Sequence, residues 1–298
     1  MRYIIASTAV TDEICLADGK KVGKVAGGAG IYALCGIKVW CDDVLLVTGV
    51  GQDYRSIYGQ WYEDNDISME GLMIKGNRTP HTVVQYLDNG EREETPLYGL
   101  EHYQKMESAP EDLEPYFQTA SGIYIFKNSN TCFWEKIIQM KKNSKVVIMW
   151  EIANDATYVD NKEHVKDIAR NFEILSINLT EAKNLLEKEG LEEIIEEFQT
   201  WGMELIFLRM GSKGAVMITP SQKMKVPSME GVHVVDPTGG GNSSSGAVLY
   251  GFCKGYDLRS CGQMGNISAA MCISGYGIPA IVKTEKYRTM FEERGGKC

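Results

Sequence analysis

The sequence is poor in histidine. It has four in 298 residues, His81, His102, His164 and His233, and no two stand at HxxxH or HExxH spacing. A zinc hydrolase built on a helical histidine pair is thereby excluded. The eight cysteines, Cys15, Cys35, Cys41, Cys132, Cys253, Cys261, Cys272 and Cys298, include no CxxC pair. They read as reduced thiols rather than a disulfide framework or a metal cluster. No run approaches 18 apolar residues, which excludes an ordinary spanning helix. The start, MRYIIASTAV, lacks the long apolar core and cleavage site of a secretory leader, and reads as a first buried strand. No GxxxxGK(S/T) loop and no GxSxG elbow occurs. Basic charge is in deficit, with 31 Lys and Arg against 40 Asp and Glu and a net charge of -9. Such a surface repels phosphate backbones and anionic lipid, so neither nucleic acid nor membrane is an expected partner. The expected location is cytoplasmic.

What is present is a strand–helix alternation. Strands are expected at Tyr3–Ser7, Val44–Val50, Ile123–Phe126, Val146–Trp150, Ile174–Ile177, Leu205–Arg209 and Ala215–Ile218. Most are continuous apolar runs, as strands buried on both faces require. Helices are expected at Ile31–Trp40, Tyr54–Asn65, Thr131–Lys142, Lys162–Asn171, Thr180–Lys188, Leu191–Trp201, Ser243–Lys254 and Gly262–Ser274. The order implies an α/β fold with a central, mostly parallel sheet. Thr82–Leu87 alternates instead, Asn89-Gly90 is a hairpin turn signal, and a polar stretch runs on to Thr95. This region is either a surface hairpin or a small β lid over a cleft, with Gly19–Lys24 able to add a strand.

The strongest chemical signal is Val234-Val235-Asp236-Pro237-Thr238-Gly239-Gly240-Gly241-Asn242-Ser243-Ser244-Ser245-Gly246. An apolar strand end meets three glycines, and a helix is expected to start at Asn242 or Ser243, both good caps. Glycines let backbone N–H groups converge on one point, and a helix start adds unpaired donors and a positive dipole end. The segment reads as a cradle for an anion such as a phosphate in transfer. Ala26-Gly27-Gly28-Ala29-Gly30-Ile31-Tyr32 is a second glycine turn opening a helix. Asn178-Leu179-Thr180-Glu181 fits a helix capping box, a reading compatible with a role at a site. Leu208-Arg209-Met210-Gly211-Ser212-Lys213-Gly214-Ala215 reads as a hairpin with a Gly-x-x-Gly turn. His81 and His102 flank the lid segment, and Tyr98, His102 and Tyr103 read as packing rather than recognition.

In this order, from residue 3 to about residue 280, these segments resemble the PfkB, ribokinase-like, family of carbohydrate kinases. The family signature Asp-Thr-x-Gly-Ala-Gly-Asp is met by Asp236, Thr238, Gly239 and Gly241. The resemblance implies a three-layer α/β/α fold forming one domain over residues 1–298, with a small β lid from about 15–26 and 80–99. It implies ATP-dependent phosphorylation of a hydroxyl on a sugar or nucleoside, with Mg2+. Gly239, Gly240 and Gly241 would form the anion hole. Asn178, Glu181, Arg209, Gly211, Asp236 and Thr238 would serve the nucleotide, with Asn178 and Glu181 holding Mg2+ indirectly and Asp236 organising a monovalent-cation site. Asp12, Gly27, Gly28 and Tyr32 would face the substrate, although Tyr32 stands where the family often has asparagine. An exposed lid strand hints at a homodimer.

The sequence departs from the family at its catalytic base, where Asn242 replaces an aspartate. An amide oxygen is a neutral acceptor, not a useful base. General base catalysis is worth about 10²–10⁴ in rate. Three explanations stand open. Another group acts as base, Glu151 or Asp155 following a strand end; the chain is a ligand-binding pseudokinase; or Asn242 is an introduced change. Gly240 and the serines at 243–245 also depart from the family, which favours drift of the whole motif.

Overall fold

The computed structural model describes residues 2–87 and 92–296, with Arg92 described in its backbone only. The expected turn at Asn89-Gly90 lies outside the described residues. The strands are β1 (Arg2–Ala6), β2 (Val10–Cys15), β3 (Lys21–Gly27), β4 (Val44–Gly51), β5 (Leu72–Gly76), β6 (His81–Tyr86), β7 (Arg92–Pro96), β8 (Ala120–Lys127), β9 (Val147–Ile152), β10 (Ile174–Asn178), β11 (Leu205–Arg209), β12 (Ala215–Ile218) and β13 (Lys223–Val226).

Nine of these form one sheet in the order β13-β12-β11-β10-β9-β8-β1-β4-β5. Pairing is parallel from β11 through β5 and antiparallel at β11–β12 and β12–β13. Neighbouring residues of each strand enter opposite faces. Tyr3 and Ile5 of β1 join a core with Leu46, Tyr124 and Phe207. Ile4 and Ala6 join another with Leu45, Trp134 and Trp150. Both faces are covered, so the inner strands read as mainly apolar runs, and every residue of β4, Thr48 included, is buried.

The first face is covered by helices Ala29–Lys38, Gly240–Cys253 and Leu258–Cys272. The first two touch backbone to backbone. A Cβ on Gly36 would stand 2.0 Å from the Ser243 carbonyl oxygen, and one on Gly246 would stand 2.4 Å from that of Ala33.

A second sheet of four strands has the order β3-β2-β6-β7. It takes in Val10–Cys15, outside the segments expected for the lid. That strand was not expected because Thr11, Asp12 and Glu13 interrupt its apolar pattern. Yet Thr11 and Asp12 are buried between β3 and β6. Among the described residues, seven cysteines are free thiols. No helix among them is long and apolar enough to cross a membrane.

Candidate active site

The glycine segment differs locally from its sequence reading. The helix begins at Gly240, with Gly239 as its cap in the left-handed region at φ 78°. Asn242 is therefore inside the first turn and is not the cap. Gly239 carries two constraints, since a Cβ there would also lie 2.1 Å from the Tyr32 ring. The Gly240 N–H turns back to the Pro237 carbonyl at 3.3 Å. The first-turn donors without an intrahelical acceptor that remain are those of Gly241 and Asn242. The three serines act inside the helix: Ser244 and Ser245 Oγ donate to the Gly241 carbonyl at 2.7 and 3.0 Å. Ser245 Oγ also meets Ser176 Oγ of β10 at 2.8 Å.

Two cavities meet at this loop. One, of about 510 Å³, is lined by Phe207, Arg209, Gly211, Val232, Gly241, Ser244 and Ile273, among others. The other, of about 570 Å³, is lined by Asp12, Gly28, Tyr32, Thr238, Gly239 and Asn242, among others. Asn178, Arg209, Pro237 and Gly241 border both. The second cavity also takes Thr82, Glu94 and Phe126, which sequence reasoning did not single out, and Tyr103, which it read as packing.

Asp12 projects from β2 into space that Gly27 leaves open, for a Cβ on Gly27 would lie 1.8 Å from Asp12 Oδ2. Gly28 adopts φ 98°, and a Cβ there would lie 2.6 Å from the Thr8 carbonyl oxygen. Tyr32 is 2% exposed, and burial, with Asp12 nearby, holds its phenol well above the ordinary value. Of the aromatic group near the small sheet, Tyr103 reaches the cavity wall and bonds Thr8 Oγ1 at 3.2 Å. Burial pushes its hydroxyl up to about 12. His81 Nε2 lies 3.3 Å from Glu13 Oε2, and His102 meets the Arg78 carbonyl at 2.9 Å.

Around Asn242 lies a buried polar chain. Asn242 Nδ2 donates to Glu151 Oε1 at 2.9 Å and to Tyr124 Oη at 3.2 Å. Tyr124 donates in turn to Glu151 Oε2 at 3.0 Å. Its burial, with Glu151 beside it, raises the phenol well above its ordinary value and keeps it a donor. Arg209 Nη1 is 3.2 Å from Glu151 Oε1, and Nη2 is 3.7 Å from Glu181 Oε2. The guanidinium lies so close to the glycine loop that a Cβ on Gly241 would stand 2.0 Å from Nη1. Asn178 and Glu181 form a complete capping box, with bonds of 2.9 and 2.8 Å. Burial raises the Glu181 carboxyl above its usual range, against the pull of Arg209.

Asp236 is 1% exposed. Its Oδ1 accepts from the Thr238 N–H at 2.8 Å and from Tyr86 Oη at 2.5 Å, the latter reaching over from the small sheet. Its Oδ2 is buried without a hydrogen-bond donor among the described residues. Asp155 stands apart, bonding Asn128 Nδ2 at 3.0 Å on the surface.

Residues 2–284 match the model of the pfkB family of carbohydrate kinases. The chain is 25% identical to a cytidine kinase from Thermococcus kodakarensis, over 89% of this chain and 94% of that one. The solved nucleoside kinase of Methanocaldococcus jannaschii, an archaeal member of the ribokinase family, has a TM-score of 0.74 and 22% identity, covering 98% and 99% of the two chains. A chain from E. coli in complex with ATP and Mg2+ gives 0.78 at 16% identity, covering 98% and 99%.

Proposed function

This chain belongs to the pfkB family of carbohydrate kinases, and we propose that it transfers the terminal phosphoryl group of ATP to a hydroxyl of a sugar or nucleoside. The observation that carries the reading is the meeting of two cavities at one glycine loop. The larger apolar share of the first, with Phe207, Val232 and Ile273, suits a nucleotide base, and Gly211 borders it. Gly241 borders both cavities and Asn242 the second, and the N–H groups of this first turn, with the helix dipole, would hold the phosphoryl group at their junction. Gly239 and Gly240 shape that cradle, and Thr238 fixes its entry through Asp236. Arg209 places a fixed cation beside it, where charge develops in the transfer. On the second side, the Asp12 carboxylate suits the hydroxyls of a sugar ring or ribose, with Gly27, Gly28 and Tyr32 shaping the wall. Asn242 would orient the attacking hydroxyl.

Among the described residues, no group of three or more His, Cys, Asp or Glu makes a metal cage. That fits Mg2+, which keeps water and phosphate oxygens as its main ligands. Glu181, with Asn178, would hold that water shell, and Mg2+ when bound would neutralise phosphate charge. The donorless Asp236 Oδ2 suits a monovalent cation. A second copy of the chain would pair along the small sheet, where Val22 and Leu97 are exposed.

A non-catalytic nucleotide-binding protein is the second reading, favoured by Asn242. The test is ADP release from Mg-ATP across a panel of nucleosides and sugars, cytidine first, with calorimetric nucleotide titration alongside. Turnover supports the kinase. Binding without transfer to any acceptor supports the second reading, and absence of nucleotide binding sinks both.

A further inference from the structure

We propose that Glu151 is the proton acceptor of the transfer, reached through the carboxamide of Asn242. The inference rests on the phosphoryl-transfer reading above. A carboxylate only accepts hydrogen bonds, so the Asn242 atom facing Glu151 Oε1 at 2.9 Å is the NH₂ group. The Tyr124 hydroxyl, committed to Glu151 Oε2, accepts the second Nδ2 hydrogen. Both amide hydrogens are thus placed, and Oδ1 is left for the substrate hydroxyl in the cavity that Asn242 and Glu151 both line.

An amide oxygen by itself cannot hold a hydroxyl proton. The structure supplies what it lacks, a carboxylate 2.9 Å from the far end of the same conjugated group. In a loose phosphoryl transfer the new oxygen–phosphorus bond forms while the bond to ADP breaks. The hydroxyl proton becomes strongly acidic as its oxygen bonds to phosphorus. It passes to Asn242 Oδ1, while Asn242 Nδ2 releases one proton to Glu151 Oε1. The carboxamide is left as its imidic tautomer and Glu151 as the neutral acid. After product leaves, Glu151 returns a proton to Nδ2, Oδ1 loses its own to water, and the pair is reset. No net charge is created on Asn242. Glu151 is buried at 1% exposure and its two oxygens are held by Asn242, Arg209 and Tyr124, so its position is fixed. Asp155, the other carboxylate near this strand end, lines neither cavity.

The experiment measures kcat and KM with Mg-ATP and the best acceptor of the panel for the wild type, Glu151→Gln, and Asn242→Asp/Glu151→Gln. The double variant exchanges amide and carboxylate within the same hydrogen-bonded pair, which places a base against the substrate. Glu151→Gln should lose about 10²–10⁴ in kcat, with both KM values within about threefold of wild type. The double variant should regain about tenfold or more over Glu151→Gln. A merely structural Glu151 would not be replaced by a carboxylate at 242. If Glu151→Gln does not fold, Glu151→Asp keeps the charge, withdraws it from Asn242, and should still cost about tenfold in kcat. A folded Glu151→Gln with wild-type kcat, or a double variant no better than the single, overturns the proposal. A wild type without turnover beside an active double variant overturns it and supports the second, non-catalytic reading, whereas a folded, fully active Glu151→Gln overturns the proposal alone. No nucleotide binding by any form overturns both.

Discussion

Replacing Asn242 by aspartate looks like restoration of the family's base, but the structure predicts otherwise. The new carboxylate would stand about where Nδ2 now lies, 2.9 Å from Glu151 Oε1. Two unit charges at that distance repel by about 6 kcal/mol at an effective dielectric of 20. Arg209, 3.2 Å from Glu151, offsets part of this. The full repulsion bounds the effect at about four pH units, at 1.36 kcal/mol each, and the Arg209 offset lowers it from there. Asn242→Asp therefore holds one proton shared between the two carboxyls through neutral pH, and the pair titrates as a unit. With that proton the variant mimics the native amide, donating to Glu151 as Nδ2 does. Its kcat and melting temperature at neutral pH should stay close to wild type. As pH rises and the shared proton leaves, the repulsion appears. Melting temperature should fall, by about 2 °C per kcal/mol in a chain of this size. The assay is a pair of pH profiles, of kcat and of thermal melting, for wild type and variant. A melting deficit of equal size at every pH, or a full hundredfold gain in kcat at neutral pH, would show the two side chains uncoupled and refute the reasoning.

Gly36→Ala drives a methyl to within 2.0 Å of the Ser243 carbonyl and should cost about 1–3 kcal/mol, read by urea unfolding; an unchanged midpoint argues against the backbone contact. Glu181 has a carboxyl raised by burial, so the fold favours its protonated form. Its contribution is complete below about pH 4.3 and lost as pH climbs through the raised value. Glu181→Gln keeps the cap without the titration, so wild-type stability relative to this variant should decline across that window. A flat difference from about pH 4 to pH 8 contradicts the burial argument.

The central sheet was legible because its strands are buried on both faces. Val44–Gly51 and Ile174–Asn178 carry that burial as mainly apolar runs, in which Thr48 and Ser176 are also buried. Three strands escaped. Asp12 and Glu13 sit inside β2, β5 is nowhere fully buried, and β13 alternates lysine with apolar residues. The glycine loop was legible because its constraints are local. The helix start was misplaced by two or three residues because Asn242 and Ser243 are strong cap types, whereas the backbone turns at Gly239 instead. The Asn242–Glu151–Tyr124 chain had no local signature. It joins residues 91 and 118 positions apart from three elements, and forms only when the sheet and the helix dock.

The glycine contact between the two core helices also limits how acceptor preference could drift. One helix opens with Gly28 and Tyr32 on the wall of the second cavity, the proposed acceptor side, and the other opens at the glycine loop, the proposed phosphate cradle. With Gly36 against the Ser243 carbonyl and Gly246 against that of Ala33, the two backbones touch at both points and leave no room for an added side chain at either glycine. They behave as the fixed jaw of a vise. A bulkier or smaller acceptor has to be accommodated by the opposite jaw, the small sheet with Asp12, Thr82 and Glu94. Changes of substrate within this scaffold should therefore be written in those strands and leave the helix pair untouched.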